Sequence, residues 1–325
     1  MTDAARSPSL GIACDGRNPL GVLREQVRRA EAAGAASVYI SSHLFLRDPA
    51  ASAAVVLSAT DRVRVVLMAM SPHAMHPVHI AMAAATLDEL APGRVALCVG
   101  TGAPGDLADA GIEPRRPLQA LAEAVEIARL LLAGEPVTYK GEIFRIGGRR
   151  LGPGPRRVPV FLAAARPGSL GLAGRIADGV VLSAASSVEF VRWSLELAAR
   201  GTAGRPFERV GLVYTAAADR AADALGRFRR QLAITLRGGH HAANLALAGS
   251  ALDQAAVRAA LAREDFAAAE ALVSDEVVRR HSASGTADEA RARLGAYRAA
   301  GLDEIALAGL SSPEETERVL AAVAP

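Results

Sequence analysis

One stretch, Val63–Gly105, constrains the fold more than any other part of the chain. It reads Val-Arg-Val-Val-Leu-Met-Ala-Met-Ser-Pro-His-Ala-Met-His-Pro, then a helix, then Arg-Val-Ala-Leu-Cys-Val-Gly-Thr-Gly. Two strands of fully buried type, Val63–Met68 and Val95–Val99, flank the helix His79–Leu90. Each strand runs into a loop of unusual chemistry. The first loop carries Ser71, Pro72, His73, His76 and Pro77; the second is Gly100-Thr101-Gly102-Ala103-Pro104-Gly105. Specialised residues at the C-terminal ends of parallel strands are how an α/β sheet or barrel builds a site.

The same alternation extends in both directions. Before it come an apolar run at residues 9–13, a helix over Asn18–Ala33 capped by Gly34, the strand Ser37–Ile40 and the helix Pro49–Ala59. After it come the helix Pro117–Ala133, the strand Pro159–Ala163, the helix Gly168–Ile176 and the strand Gly179–Leu182. The helix Val188–Ala199, the strand Val210–Tyr214, a helix from Ala287 to Ala300, the strand Glu304–Leu307 and the helix Pro313–Ala322 complete the series. Two segments break the rhythm. Residues 136–154 alternate around Lys140-Gly141 and predict a hairpin after the fourth unit. Residues 219–280, after the seventh strand, are alanine-rich and helical, interrupted by Gly238-Gly239-His240-His241, which reads as a surface loop. Short apolar strands separated by helices predict a parallel sheet covered on both faces. Eight such units favour a closed (β/α)8 TIM barrel, with all of 1–325 expected to form one domain.

Composition narrows the function classes. No run of 18 apolar residues occurs, and Met1–Pro8 has no hydrophobic leader core, so a soluble cytoplasmic protein with no membrane partner is expected. Cys14 and Cys98 lack CxxC spacing, which argues against a disulfide framework or a zinc site. The sequence pI is about 9.2, yet net charge is only +3 and aromatic content 4%. Dispersed arginines with few stacking platforms do not suit nucleic acid, and fit an anionic small ligand better.

Taken together and in order, several stretches resemble the luciferase-like flavin and deazaflavin oxidoreductase superfamily, closest to its methylenetetrahydromethanopterin reductase-like branch. They are Glu31-Ala32-Ala33-Gly34 leading to Val38-Tyr39-Ile40-Ser41-Ser42-His43, Ser71-Pro72 with His76-Pro77, and Ala85 to Leu90 with Gly93-Arg94. Gly100-Thr101-Gly102, Ala110 to Glu113, Glu126 to Leu131, Tyr139-Lys140-Gly141-Glu142 and Ile176-Ala177-Asp178-Gly179 continue the match. The resemblance implies the same barrel, a homodimer, a small-molecule substrate and coenzyme F420 as cofactor, with FMN as the alternative. It implies that the ring packs at the barrel mouth on a bulge after the third strand, at Met68-Ala69-Met70, which often contains a non-prolyl cis peptide. Ser71 and His76 border that bulge. The phosphate-bearing tail is expected on Gly100, Thr101 and Gly102 and on Ala164, Ala165, Arg166, Gly168 and Ser169, where backbone amides and an arginine suit a phosphate. The sequence departs from the family where acid–base chemistry is concerned: Ser42 precedes His43 where the family commonly has Asp, and Ala13-Cys14-Asp15 ends the first strand. His43 and Asp15 are the expected proton-handling residues.

Competing readings of the same residues are weaker. His73, His76 and His79 are split by Pro77 and lack a carboxylate partner, so no metal is expected. Gly100–Gly105 matches GxGxxG, but in the fourth unit rather than the first, and Pro104-Gly105 reads as disfavouring immediate helix formation. Arg115 and Arg116 are open between anion contacts and a solvated helix start. Neither GxSxG nor a P-loop occurs. Three functions therefore stand: an F420-dependent oxidoreductase, an FMN-dependent monooxygenase, and a non-catalytic ligand-binding barrel.

Overall fold

The computed structural model describes residues 9–324; Met1–Pro8, read above for a leader, lies outside them. Among the described residues the strands are, in chain order, β1 Ser9–Cys14, β2 Ser37–Ser41, β3 Arg64–Met70, β4 Val95–Val99, β5 Val137–Lys140, β6 Arg145–Arg149, β7 Val160–Ala163, β8 Gly179–Leu182, β9 Glu208–Ala217, β10 Ala283–Gly285 and β11 Glu304–Ala308. The strands β1, β2, β3, β4, β7, β8, β9 and β11 pair in that order, all parallel, and β11 pairs back onto β1 to close the barrel. This is the expected eight-stranded α/β barrel. Every residue of β2, β4 and β11 is buried, as both faces of such strands must be. Ala13, Tyr39, Val66, Cys98, Phe161, Val181 and Val210 fill the interior. Their neighbours on the outer face, including Leu10 and Ile12 of β1, pack against the surrounding helices.

The predicted hairpin is β5–β6, antiparallel, after the helix Pro117–Leu132. Its tip folds back along that helix because the buried Glu123 carboxylate accepts from the backbone amides of Glu142 (2.8 Å), Ile143 (3.1 Å) and Phe144 (2.9 Å). The helical insertion has an apolar cluster of its own, built on Leu225, Phe228, Leu232, Leu236, Val257 and Val277.

Three local expectations need correction. Pro104–Asp109 is a short helix with Pro104 in its first turn. Proline is well suited to that position, since the first helical N–H has no intrahelical acceptor to lose. Residues 239–241 form a 3-10 turn with His241 buried, rather than a surface loop. The seventh barrel strand runs on to Ala217 and pairs with β10, whose three residues are too few to show a period.

The insertion is stitched to the barrel rim at residues 185–187. Asn244 donates to the Ala185 carbonyl (2.8 Å) and accepts from the Ser187 amide (2.9 Å), while Tyr297, from the barrel helix Ala287–Ala299, donates to the Ser186 carbonyl between them (2.7 Å). The fully buried His281 donates from Nδ1 to Ala185 O (2.8 Å), which leaves Nε2 to accept from Ser250 (2.9 Å). Burial pushes the His281 pKa down to about 4, with Arg293 and Arg280 adding to the effect and the Ala185 carbonyl and Glu189 opposing it. A histidine depressed in the folded state contributes stability above its unfolded pKa and loses it as pH falls toward the folded value. We therefore expect the stability advantage of wild type over His281→Gln to shrink by about 2 kcal/mol between about pH 7.5 and about pH 5. Urea unfolding at both pH values measures this; a constant difference would show that His281 is not held neutral.

Candidate functional site at the barrel mouth

The C-terminal ends of the strands bring most of the expected residues to one rim. Met68–Ala69 is a cis peptide, and the β3–β4 register shifts between Leu67 and Met70, so the bulge stands where the resemblance implied. Ser42 N–H donates to the Met68 carbonyl (2.5 Å) and Gly100 N–H to the Met70 carbonyl (3.1 Å), fixing the bulge between its two neighbours. Gly100 allows a close approach on both sides. A Cβ there would lie 2.7 Å from Cβ of Ala69 and 3.1 Å from Cβ of Ala163. Ala69, Ala163 and Ala184 are partly buried at the top of the interior, above buried Ala13 and Ala308. TIM-barrel interiors are usually filled by branched side chains. Here methyl groups make an apolar floor, packed with Leu212 and Tyr214, and Gly100 is the residue that leaves room for the Ala69 and Ala163 methyls.

The loop after β4 is knitted to the loop after β3. Ser71 Oγ donates to the Thr101 carbonyl (2.9 Å) and accepts from His73 N–H (3.3 Å). Gly102 has φ +88°, and a Cβ there would meet Ser71 Oγ at 3.1 Å and Leu107 at 3.2 Å. His73 Nε2 is buried with no hydrogen-bond partner among the described residues. His76 caps the helix Pro77–Leu90, Nδ1 accepting from Val78 N–H (3.2 Å), and its ring meets the edge of Phe144 from the hairpin at 5.3 Å. Burial, with help from His79, lowers the His76 pKa, in keeping with a neutral ring that accepts at Nδ1.

Ala164 and Ala165 follow β7 and lead to Arg166, where the helix Pro167–Ile176 begins. Arg166 N–H donates to Ser169 Oγ (3.2 Å), which donates to the Arg166 carbonyl (3.0 Å). Gly168 and Ser169 lie in the first turn, where N–H groups have no intrahelical acceptor. Arg166 is exposed and makes no ion pair among the described residues. Its free guanidinium and these amides form an anion-seeking corner beside the alanine floor.

His43 and Asp15 end up with different partners. Asp15 is exposed at the end of β1 and is engaged by Arg17. Arg47 Nη1 donates to the carbonyls of Gly16 (3.1 Å) and Arg17 (2.7 Å), tying the loops after β1 and β2 together. His43 Nδ1 lies 3.1 Å from Oδ2 of Asp106, in the short helix after β4. Sequence reasoning missed Asp106. A proline followed two residues later by an aspartate is a helix-start signal that would have placed it on the rim, although not against His43. It also missed Phe45, which is 73% exposed with φ +64° on the same loop as His43.

A methylenetetrahydromethanopterin reductase of Archaeoglobus fulgidus is 27% identical over 306 residues, covering 91% of this chain and 92% of that protein. The solved coenzyme F420-dependent tetrahydromethanopterin reductase of Methanopyrus kandleri superposes with a TM-score of 0.89 at 20% identity, covering 98% of this chain and 97% of that one. A type II Baeyer-Villiger monooxygenase of Pseudomonas putida, solved in complex with FMN, matches with a TM-score of 0.74 at 18% identity, over 98% and 97% of the two chains. The profile of the luciferase-like monooxygenases matches residues 4–304, which with the bulge after β3 and the closed barrel shows that this chain belongs to the luciferase-like monooxygenase family.

Proposed function

We propose that this protein is a coenzyme F420-dependent oxidoreductase acting on a small organic substrate at a C=N, C=C or alcohol carbon. The observation that carries the reading is the methyl floor of Ala69, Ala163 and Ala184 at the cis bulge, beside the exposed Arg166 guanidinium. A flat, largely apolar ring suits the first and an anionic tail the second, so the residues present fit the group. Met68, Ala69, Met70, Ser71 and His76 would border the ring. Gly100, Thr101 and Gly102, with Ala164, Ala165, Arg166, Gly168 and Ser169, would hold the tail. When bound, the deazaflavin supplies the hydride acceptor or donor at its C5. The chain orients that group, keeps water from the alanine floor, and carries the proton on His43; Asp15, engaged by Arg17, shapes the rim.

The same floor would take the ring of FMN and the Arg166 corner its phosphate, and the Pseudomonas putida FMN complex shares the fold, so an FMN monooxygenase is the second reading. Thermal-shift titration with F420, FMN and NADP separates them. At about 100 times its dissociation constant a ligand adds about 2.7 kcal/mol to the native state. We expect a shift with F420 and none with NADP. An FMN shift with oxygen uptake would replace the reading with the monooxygenase, and no shift with any would favour a non-catalytic barrel.

The tail assignment has its own test. Gly102→Val is expected to weaken F420 binding about tenfold or more, because a branched side chain at φ +88° must push the loop off Ser71 and Leu107. Calorimetric titration checks this, and unaltered affinity would move the tail elsewhere.

A further inference from the structure

We propose that Asp106 is a positioning residue for His43, holding the imidazole in the tautomer that carries its proton on Nδ1 and so keeping Nε2 as the nitrogen that takes and returns a proton. The inference rests on the oxidoreductase reading above for its chemical purpose, and on the geometry of two loops for its substance. Next to His43 the chain has Ser42, which brings no charge to the imidazole. The rim supplies a carboxylate from a different strand instead. Asp106, 63 residues further along, places Oδ2 at 3.1 Å from Nδ1 of His43.

A carboxylate can only accept, so the hydrogen between these atoms belongs to the imidazole. With Nδ1–H committed to Asp106, Nε2 has no hydrogen-bond partner among the described residues and keeps its lone pair. The carboxylate is itself held in place. Pro104 opens its helix, Leu107 N–H donates to the Ala103 carbonyl (3.1 Å), and the Leu107 side chain is almost fully buried. No lysine or arginine pairs with Asp106 among the described residues, whereas Asp15 is engaged by Arg17. The pair is 43% and 32% exposed, and ion pairs in such surroundings contribute little to stability. Its consequence lies in which nitrogen bears the proton, and that is set by the partner of the other nitrogen.

The direct test is the imidazole 15N spectrum of His43 in cofactor-free protein, at a pH alkaline enough to keep the ring neutral, for wild type, Asp106→Leu and Asp106→Asn. The wild type is expected to show the Nδ1–H tautomer. Asp106→Leu should shift the ring to a mixture, and Asp106→Asn should retain part of the wild-type signature because its amide oxygen still accepts. Identical spectra for wild type and Asp106→Leu would overturn the proposal. A second readout uses turnover with F420. Asp106→Leu should lower kcat by about 10–100-fold with KM little changed, and should add no further loss in a His43→Ala background, since the two act as one unit. A full further loss in that background would mean that Asp106 acts apart from His43. Because the spectra need no cofactor, failure to bind F420 would remove the oxidoreductase reading without touching the pair.

Discussion

Arg64→Met is expected to destabilise the protein by about 3 kcal/mol, the low end of the cost of removing one partner from a buried charge pair, because Arg64 and Glu208 are partly exposed and Glu304 is buried. Arg64 opens β3, Glu208 opens β9 and Glu304 opens β11, so the N-terminal end of the barrel gathers a cation and two carboxylates. Arg64 Nη1 donates to Glu208 Oε2 (2.8 Å) and Nη2 donates to Glu304 Oε2 (2.9 Å), and the guanidinium also lies 5.5 Å from the Phe161 ring centre. The Glu304 carboxylate, only 6% exposed, accepts from Ser9 (3.2 Å) and Ser37 as well. Burial alone would lower the Arg64 pKa, but Glu208 and Glu304 outweigh it and raise the value, so the cluster is held charged. Methionine matches much of the arginine stem, so the expected loss comes from two carboxylates left in the barrel end without their cation. A second substitution, Glu304→Gln, should recover part of that loss in the Arg64→Met background while costing stability in the wild type. Urea unfolding of the four proteins measures the coupling. Additive losses would show that the cluster is solvated and contributes nothing as a unit.

That cluster marks where sequence reading reaches its limit. The strands themselves were legible because a doubly covered strand must be apolar along its length, and Val95–Val99 and Gly179–Leu182 satisfy this with no ambiguity of period. The bulge at Met68-Ala69-Met70 was legible through resemblance alone; nothing in three apolar residues announces it. Arg64, Glu208 and Glu304 stand at the beginnings of three strands, but nothing local shows that they meet: the barrel brings Arg64 and Glu304, 240 positions apart, into contact. Asp106 was hidden for a different reason. Pro104-Gly105 reads as a turn by composition, and a proline at the first helical position is compatible with both outcomes until the following backbone is seen. The Ser42 departure therefore looked like a missing carboxylate, whereas the rim carries one on a neighbouring loop.

Whether the rim is chemically competent turns on His43. His43→Ala is expected to lower turnover about 10²–10⁴-fold, the range associated with losing a positioned general acid or base. The residue follows β2 by two positions, on the face where barrel enzymes place their reacting groups. Imidazole is the side chain best suited to exchanging a proton near neutral pH, and at 43% exposure this one can reach both solvent and a bound substrate. Its loss should leave F420 affinity nearly unchanged, because the groups proposed to hold the cofactor, Gly100 to Gly102 and Arg166 to Ser169, belong to other loops. Cofactor titration and single-turnover absorbance with a substrate that supports turnover separate these two quantities, and added imidazole should restore part of the rate. An unchanged rate would remove His43 from the proton path and point to a substrate that exchanges hydride alone, such as a cationic C=N group, for which no proton need move in the same step. A loss of rate accompanied by an equal loss of cofactor affinity would instead place His43 against the ring, as a binding residue rather than a proton carrier.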